Sequence, residues 1–260
     1  MNHFFTPERP FLSWELQGID GKPARLFENL PSTHAYSKEH IQDLFTGGLV
    51  VANSQSSGRG RHDRIWQSPI GKNLYFNITF PLQGLVPHQY AQMMQVSAIT
   101  IAEFVRELGV DASVKWPNDI LCHKQKFCGM ISDLLRMEQG NFLTIGTGIN
   151  VNTEAEDLAN LGRPATSLKI VLQKQLNREA LLREIVKRLG RSLQEVKEKG
   201  LAPWISEWRE MDQFIGHKAR MVEGDTVVEG TILDINDDGS LLFQTEYGNT
   251  ISRYTGDLEI

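Results

Sequence analysis

Cysteine is scarce: Cys122 and Cys128 are the only two in 260 residues. Their spacing fits neither a zinc-ligand pattern nor a disulfide framework, so they are read as reduced core residues of a cytoplasmic protein. Long apolar runs are missing too. No stretch reaches the ~18 residues of a membrane span, so no membrane association is expected. A basic excess is also lacking. Lys and Arg number 27 against 32 Asp and Glu, for a net charge of −5. That excludes a chain-wide basic surface for DNA and leaves room for a local basic site. The opening "MNHFFTPERPFLSW" has no basic start and no apolar core, so it does not read as a signal peptide. Internal repeats and low-complexity segments are absent.

What is present suits a globular protein with one sizeable domain and a small appendage. Hydrophobic residues make up 40% and charged residues 23%. "GLVVANSQ" (48–55) reads as a strand. "NLYFNITF" (73–80) alternates apolar and polar residues, which predicts a strand with one buried face. Apolar spacing predicts a helix over 88–108, stopped by Gly109. "ASVKW" (112–116) is a short strand ended by Pro117. The segment after it reads as a hairpin turning at His123–Gln125, and "NFLTIGTGINVN" (141–152) as a further strand. A helix follows, with Asn177 as its cap and Gly200 at its end. Beyond Phe214 come short strands joined by "NDDG" and "YGN" turns, the pattern of a small SH3-like barrel. The expected division is 1–213 and 214–260.

Four short units carry chemistry. In "SSGRGRHDRIWQSP" (56–69), Gly58 and Gly60 let backbone N–H groups approach a ligand closely. Arg59, Arg61 and Arg64 add charge and forked donors, which suits a phosphate or a carboxylate. A plain solvated loop would look much the same. The loop is not a Rossmann fingerprint, because Asp63 stands where the third glycine would be, and no Walker sequence exists. In "KWPND" (115–119), Pro117 stops the strand and leaves Asn118 and Asp119 at its exit. Lys126 has Gly129 three residues on. "GTGIN" (146–150) places two glycines in a strand, as close approach by a ligand or a simple bulge would require.

In this order, GRGR, Trp66, KWPND, K-x-x-G and G-x-G-I-N resemble the biotin protein ligases (biotin–[acetyl-CoA-carboxylase] ligases). "STH" (32–34) is similar to that family's S-T-N biotin motif, and "ATSL" (165–168) also matches. The resemblance covers roughly residues 30–260. It implies an α+β fold: a mixed sheet with helices, as in biotin and lipoate ligases, then an SH3-like barrel.

The implied activity is activation of biotin by ATP, with Mg²⁺ present, to biotinyl-5′-AMP. Biotin then passes to a lysine of the biotin carboxyl carrier domain of acetyl-CoA carboxylase or a related carboxylase. The implied catalytic residues are Lys126, Arg61 and Asp119. Implied biotin contacts are Ser32, Thr33, His34, Gln55, Gly58, Arg59, Arg61, Lys126 and Gly129. Implied ATP and adenylate contacts are Arg59, Arg61, Arg64, Trp66, Asn118, Lys126 and Asn150. Gly148 is expected to give close backbone approach, and Trp66 reads as a ligand wall or a core tryptophan. No protein metal ligand is assigned; Mg²⁺ is expected to be carried mainly by ATP.

Two departures stand out: His34 where asparagine is common, and "GRGRHD" where the family's loop continues with glycine at position 63. Too few residues precede Ser32 for a winged-helix domain, so no DNA-binding function is expected. Family members often pair, so a homodimer is a possible assembly. The alternatives are a lipoate or octanoyl ligase of the same fold, and a non-catalytic biotin-binding module.

Overall fold

The computed structural model of the chain describes all residues except Met1, Asp63, Val86, Asn160 and Leu201, with the side chains of Asn2, Pro87, His88, Gln89 and Ala91 also excepted. The chain runs β1 (Arg25–Phe27), α1 (Thr33–Glu39), α2 (Ile41–Leu44), β2 (Leu49–Ala52), β3 (Leu74–Pro81), α3 (Pro87–Glu107), β4 (Ala112–Lys115), β5 (Asp119–Cys122), β6 (Gln125–Met137) and β7 (Gly140–Ile149). Then follow α4 (Ala155–Leu158), α5 (Leu168–Leu172), α6 (Arg178–Lys199), α7 (Ala202–Met211), β8 (Lys218–Glu223), β9 (Thr226–Ile235), β10 (Leu241–Thr245), β11 (Thr250–Arg253) and β12 (Asp257–Glu259).

The first seven strands form one mixed sheet in the order β1-β2-β3-β7-β6-β5-β4, with only β1–β2 parallel. On one face, Leu49, Val51, Leu74, Phe76, Ile78 and Phe80 join the main core with residues of α3 and α6. The other face carries Val50, Asn77 and Tyr75 and is covered in part by α1. So β3 is buried on both faces, which corrects the expectation of one buried face. Its central polar residue is hidden because α1 lies over it: Asn77 Nδ2 donates to His34 Nδ1 at 3.0 Å, and Thr144 Oγ1 donates to Asn77 Oδ1 at 2.6 Å. Satisfied polar groups can be buried at little cost.

The turn at His123–Lys124 uses φ of 49° and 63°, the mirror-image turn whose twist suits a two-residue hairpin. Asn177 Oδ1 caps α6 by accepting the Ala180 N–H at 3.0 Å, and Gly200 ends it at φ 72°. Both cysteines are free and buried, and burial raises the Cys128 thiol well above its ordinary range.

Strands β8 to β12 form a second, antiparallel sheet in the order β11-β10-β9-β8-β12. Its apolar residues Met221, Ile232, Phe243 and Leu258 belong to the same core cluster as the first sheet. The "NDDG" turn is the polar joint between the two. The carbonyl of Gly239 accepts from Gln95 Nε2 at 2.7 Å and from Trp116 Nε1 at 3.2 Å. Among the described residues no helix is long and apolar enough to cross a membrane.

Candidate functional site

The sheet register builds the site. Cross-strand partners share a face, so Tyr75, Gly148, Gly129, Asp119 and Lys115 form one row across β3, β7, β6, β5 and β4. The adjacent row runs Val50, Asn77, Gly146, Ile131. Because strand side chains alternate, the i, i+2 spacing of Gly146 and Gly148 puts both on this face. With Gly129 they leave a trough in which no side chain rises from the sheet. The cleft above is narrow, with a cavity volume of about 60 Å³.

One end of the trough is polar. Ser32 caps α1, its Oγ accepting the Ala35 N–H at 3.3 Å. Thr33 donates both its N–H (2.9 Å) and its hydroxyl (3.1 Å) to Gln55 Oε1, and Gln55 Nε2 donates to Ser68 Oγ at 3.0 Å. Next to them His34 lies over Gly146, where an added Cβ would meet the His34 Cβ at 3.0 Å. Accepting from Asn77 at Nδ1 leaves the His34 proton on Nε2, which donates to Asp133 Oδ2 at 2.9 Å. Burial lowers the His34 pKa, in line with this neutral form. Lys38 completes the cluster, 2.7 Å from the same Asp133 oxygen.

The other end is charged. Lys126 Nζ stands 2.5 Å from Asp119 Oδ1, off the line of a hydrogen bond, and 5.5 Å from the centre of the Trp66 ring. Arg61 Nη1 donates to Asn118 Oδ1 at 3.5 Å and to the Gly256 carbonyl at 3.0 Å, while Asn118 Nδ2 donates to the Met130 carbonyl. Burial lowers the Arg61 pKa and the charges of Asp257 and Asp119 oppose it. Lys115 is lowered in the same way, chiefly by burial, with Asp119 opposing.

The indole of Trp66 lines both this cleft and a second one, of about 370 Å³. It is buried, and its Nε1–H has no partner. The second cleft has Asn150, Leu158, Leu161 and Arg163 on its far wall. Asn150 Nδ2 donates to the Thr166 carbonyl at 3.1 Å. The segment before Thr166 runs beside Lys126, whose N–H donates to the Pro164 carbonyl at 3.1 Å. That places Arg163 in the lining of both clefts.

Every site residue expected from the sequence therefore lines one cleft or both. The glycines work differently from expectation. A Cβ on Gly58 would meet the Trp66 carbonyl at 2.4 Å, and one on Gly129 would meet Lys126 Nζ at 2.7 Å. They admit the protein's own groups to close range rather than lying bare to a ligand. Asp63 falls outside the described residues. The sequence does not point to Arg163, Lys115, Asp257, Leu158 or Leu161 as site residues. Lys115 opens KWPND and Arg163 stands two residues before ATSL, whereas nothing in the sequence points to Asp257.

The sequence model of the biotin/lipoate A/B protein ligase family matches residues 26–150. The Bifunctional ligase/repressor BirA of Escherichia coli (strain K12) is 32% identical over 236 residues, covering 88% of this chain and 71% of that protein. The chain belongs to the biotin/lipoate A/B protein ligase family. This family member is also similar to the biotin–[acetyl-CoA-carboxylase] ligase of Mycobacterium tuberculosis, at 25% identity over 82% of this chain and 78% of that one. Among solved structures, the biotin protein ligase of Aquifex aeolicus in complex with biotin and ATP superimposes with a TM-score of 0.76 at 26% identity. That match covers 90% of this ligase-family chain and 96% of the other. The architecture expected from the sequence, a mixed sheet with helices followed by a small all-β unit, is the one observed.

Proposed function

We propose that this chain is a biotin protein ligase, which activates biotin with ATP and transfers it to a lysine of a biotin carboxyl carrier domain. The observation that carries the reading is the cleft lined by Trp66 and Lys126, with hydrogen-bonding groups at one end and cations at the other. Thr33, Gln55 and Ser32 present donors and acceptors of the kind a flat ureido ring needs. The trough holds an apolar ring system and tail, and Lys126 takes the carboxylate. The second cleft takes the nucleotide, against Trp66, Asn150, Leu158 and Arg163.

In the first step a biotin carboxylate oxygen bonds to the α-phosphorus of ATP, and the bond to pyrophosphate breaks. Two anions are brought together and charge grows on the phosphoryl oxygens, so fixed cations aimed there are the main device. Lys126, between the two clefts, touches both reactants, and Arg61, Arg64 and Arg59 serve the phosphates. In the second step a carrier lysine amine attacks the acyl carbon, AMP leaves, and the amine gives up a proton. Asp119, paired with Lys126, is the carboxylate beside that event.

The described residues contain no cluster of three metal-ligating side chains. Mg²⁺ suits such a site, since it takes one or two carboxylates together with phosphates and water. It would be held mainly by the triphosphate, with Asp119 as the protein carboxylate, and would screen phosphate charge. We place the domain division at 213/214, between α7 and β8.

The test is ATP–pyrophosphate exchange with biotin, with lipoate, and with neither. Exchange that depends on biotin supports the reading. Exchange with lipoate alone replaces it by a lipoate ligase, and no exchange leaves a binding module.

A further inference from the structure

Arg61 and Arg64 of the 56–69 loop find their acid at the far end of the chain. Asp257 opens β12, where Leu258 points into the core of the second sheet and Asp257 alternates away from it into the cleft. Its side chain is 13% exposed. Its Oδ1 lies 3.2 Å from Arg61 Nη1 and its Oδ2 lies 2.8 Å from Arg64 Nη2, with His62 Nε2 at 3.7 Å from Oδ1. The carbonyl of Gly256, the preceding residue, accepts from Arg61 as well. Two oxygens of one acid, each facing a different guanidinium, is how a phosphate group would be held.

We propose that Asp257 is an intramolecular stand-in for the nucleotide's phosphate, a positioning residue that holds Arg61 and Arg64 at the site and is displaced when ATP enters. The proposal rests on the ligase reading above. Arg61 is largely buried, and a buried arginine without an acid is costly, so a cleft awaiting its substrate needs one. Once a polyanion occupies the cleft, the same carboxylate is a like charge beside it. Asp257 therefore lowers the affinity for ATP while keeping the loop ordered. Its ion pairs are all to the arginine loop, so biotin binding at the Thr33–Gln55 end is independent of it. The exchange also couples the small all-β unit to the state of the nucleotide site.

The experiment compares the unmutated protein with Asp257→Asn and Asp257→Ser, each first checked by thermal melting. Biotin-dependent pyrophosphate exchange is followed against ATP and against biotin, at low and high salt. Calorimetry with inorganic pyrophosphate gives a readout without turnover. Both variants should lower the KM for ATP about threefold to tenfold and tighten pyrophosphate binding in parallel. The gain should shrink at high salt, and the KM for biotin should change by less than about twofold. An ATP KM that is unchanged or higher in a folded variant overturns the proposal, the higher value marking Asp257 as a partner of nucleotide or metal. If the unmutated protein shows no exchange at all, the ligase reading fails, and pyrophosphate binding still decides the role of Asp257.

Discussion

The indole of Trp66 rests on Gly148 so closely that a Cβ there would stand 2.5 Å from Trp66 Cε2 and Nε1. The ring and the glycine form a matched pair: the missing side chain is what lets the wall shared by the two clefts sit down on the sheet. Gly148→Ala should push the indole out of register and fill the trough. Affinity for biotin, measured by calorimetric titration, should fall by at least ~10-fold, a loss of about 1.4 kcal/mol or more. An unchanged affinity would mean that the trough is not the biotin site.

Among the described residues, Lys126 is the one lysine that lines both clefts. Lys126→Ala removes a charge-assisted contact worth about 1.5–3 kcal/mol and leaves Asp119 unpaired beside the phosphates. Biotinyl-AMP synthesis should drop at least ~10-fold in a protein that still melts cooperatively. Normal exchange in that variant would remove Lys126 from the chemistry.

Arg61 ties the loop to Asn118 and to the second sheet. A loop so tied can close over a hydrolysable intermediate and exclude water. Arg61→Gly should release biotinyl-AMP early, so that lysines of an unrelated bystander protein become labelled with biotin. The readout is bystander label per turnover. Label no higher than with the parent enzyme would argue against a closing loop.

Away from the site, Glu207 on α7 carries a pKa pushed up to about 7, first by burial and then by the neighbouring charge of Glu103. Between the ordinary glutamate value of the unfolded chain and about 7, the folded protein keeps a proton that the unfolded chain has lost. Stability should therefore fall as pH rises through that window. Glu207→Gln should flatten the dependence and raise stability at pH ~8 by on the order of 1 kcal/mol, allowing for solvent screening. Denaturant melts of both proteins at several pH values give the slope. An identical slope for the two would move the effect to another group.

The sequence by itself determined the elements whose causes are local. Periodicity and caps placed α3 and α6, and turn chemistry placed the hairpins of the second sheet. The motif order placed Lys126, Asp119, Arg61, Trp66 and the GTGIN glycines at one site. Local patterns could not show what the glycines are for, because that depends on register: only cross-strand pairing puts Gly129 beside Gly148 and hands the space to Trp66. Nor could they show that Asn77 of β3 is buried, since the covering His34 comes from another element with its own partner in Asp133. Asp257 is the extreme case. A carboxylate 193 residues beyond Arg64 becomes its ion-pair partner only because the small all-β unit docks on the first sheet through Gly239 and a shared core, a long-range packing decision that no neighbouring residue records.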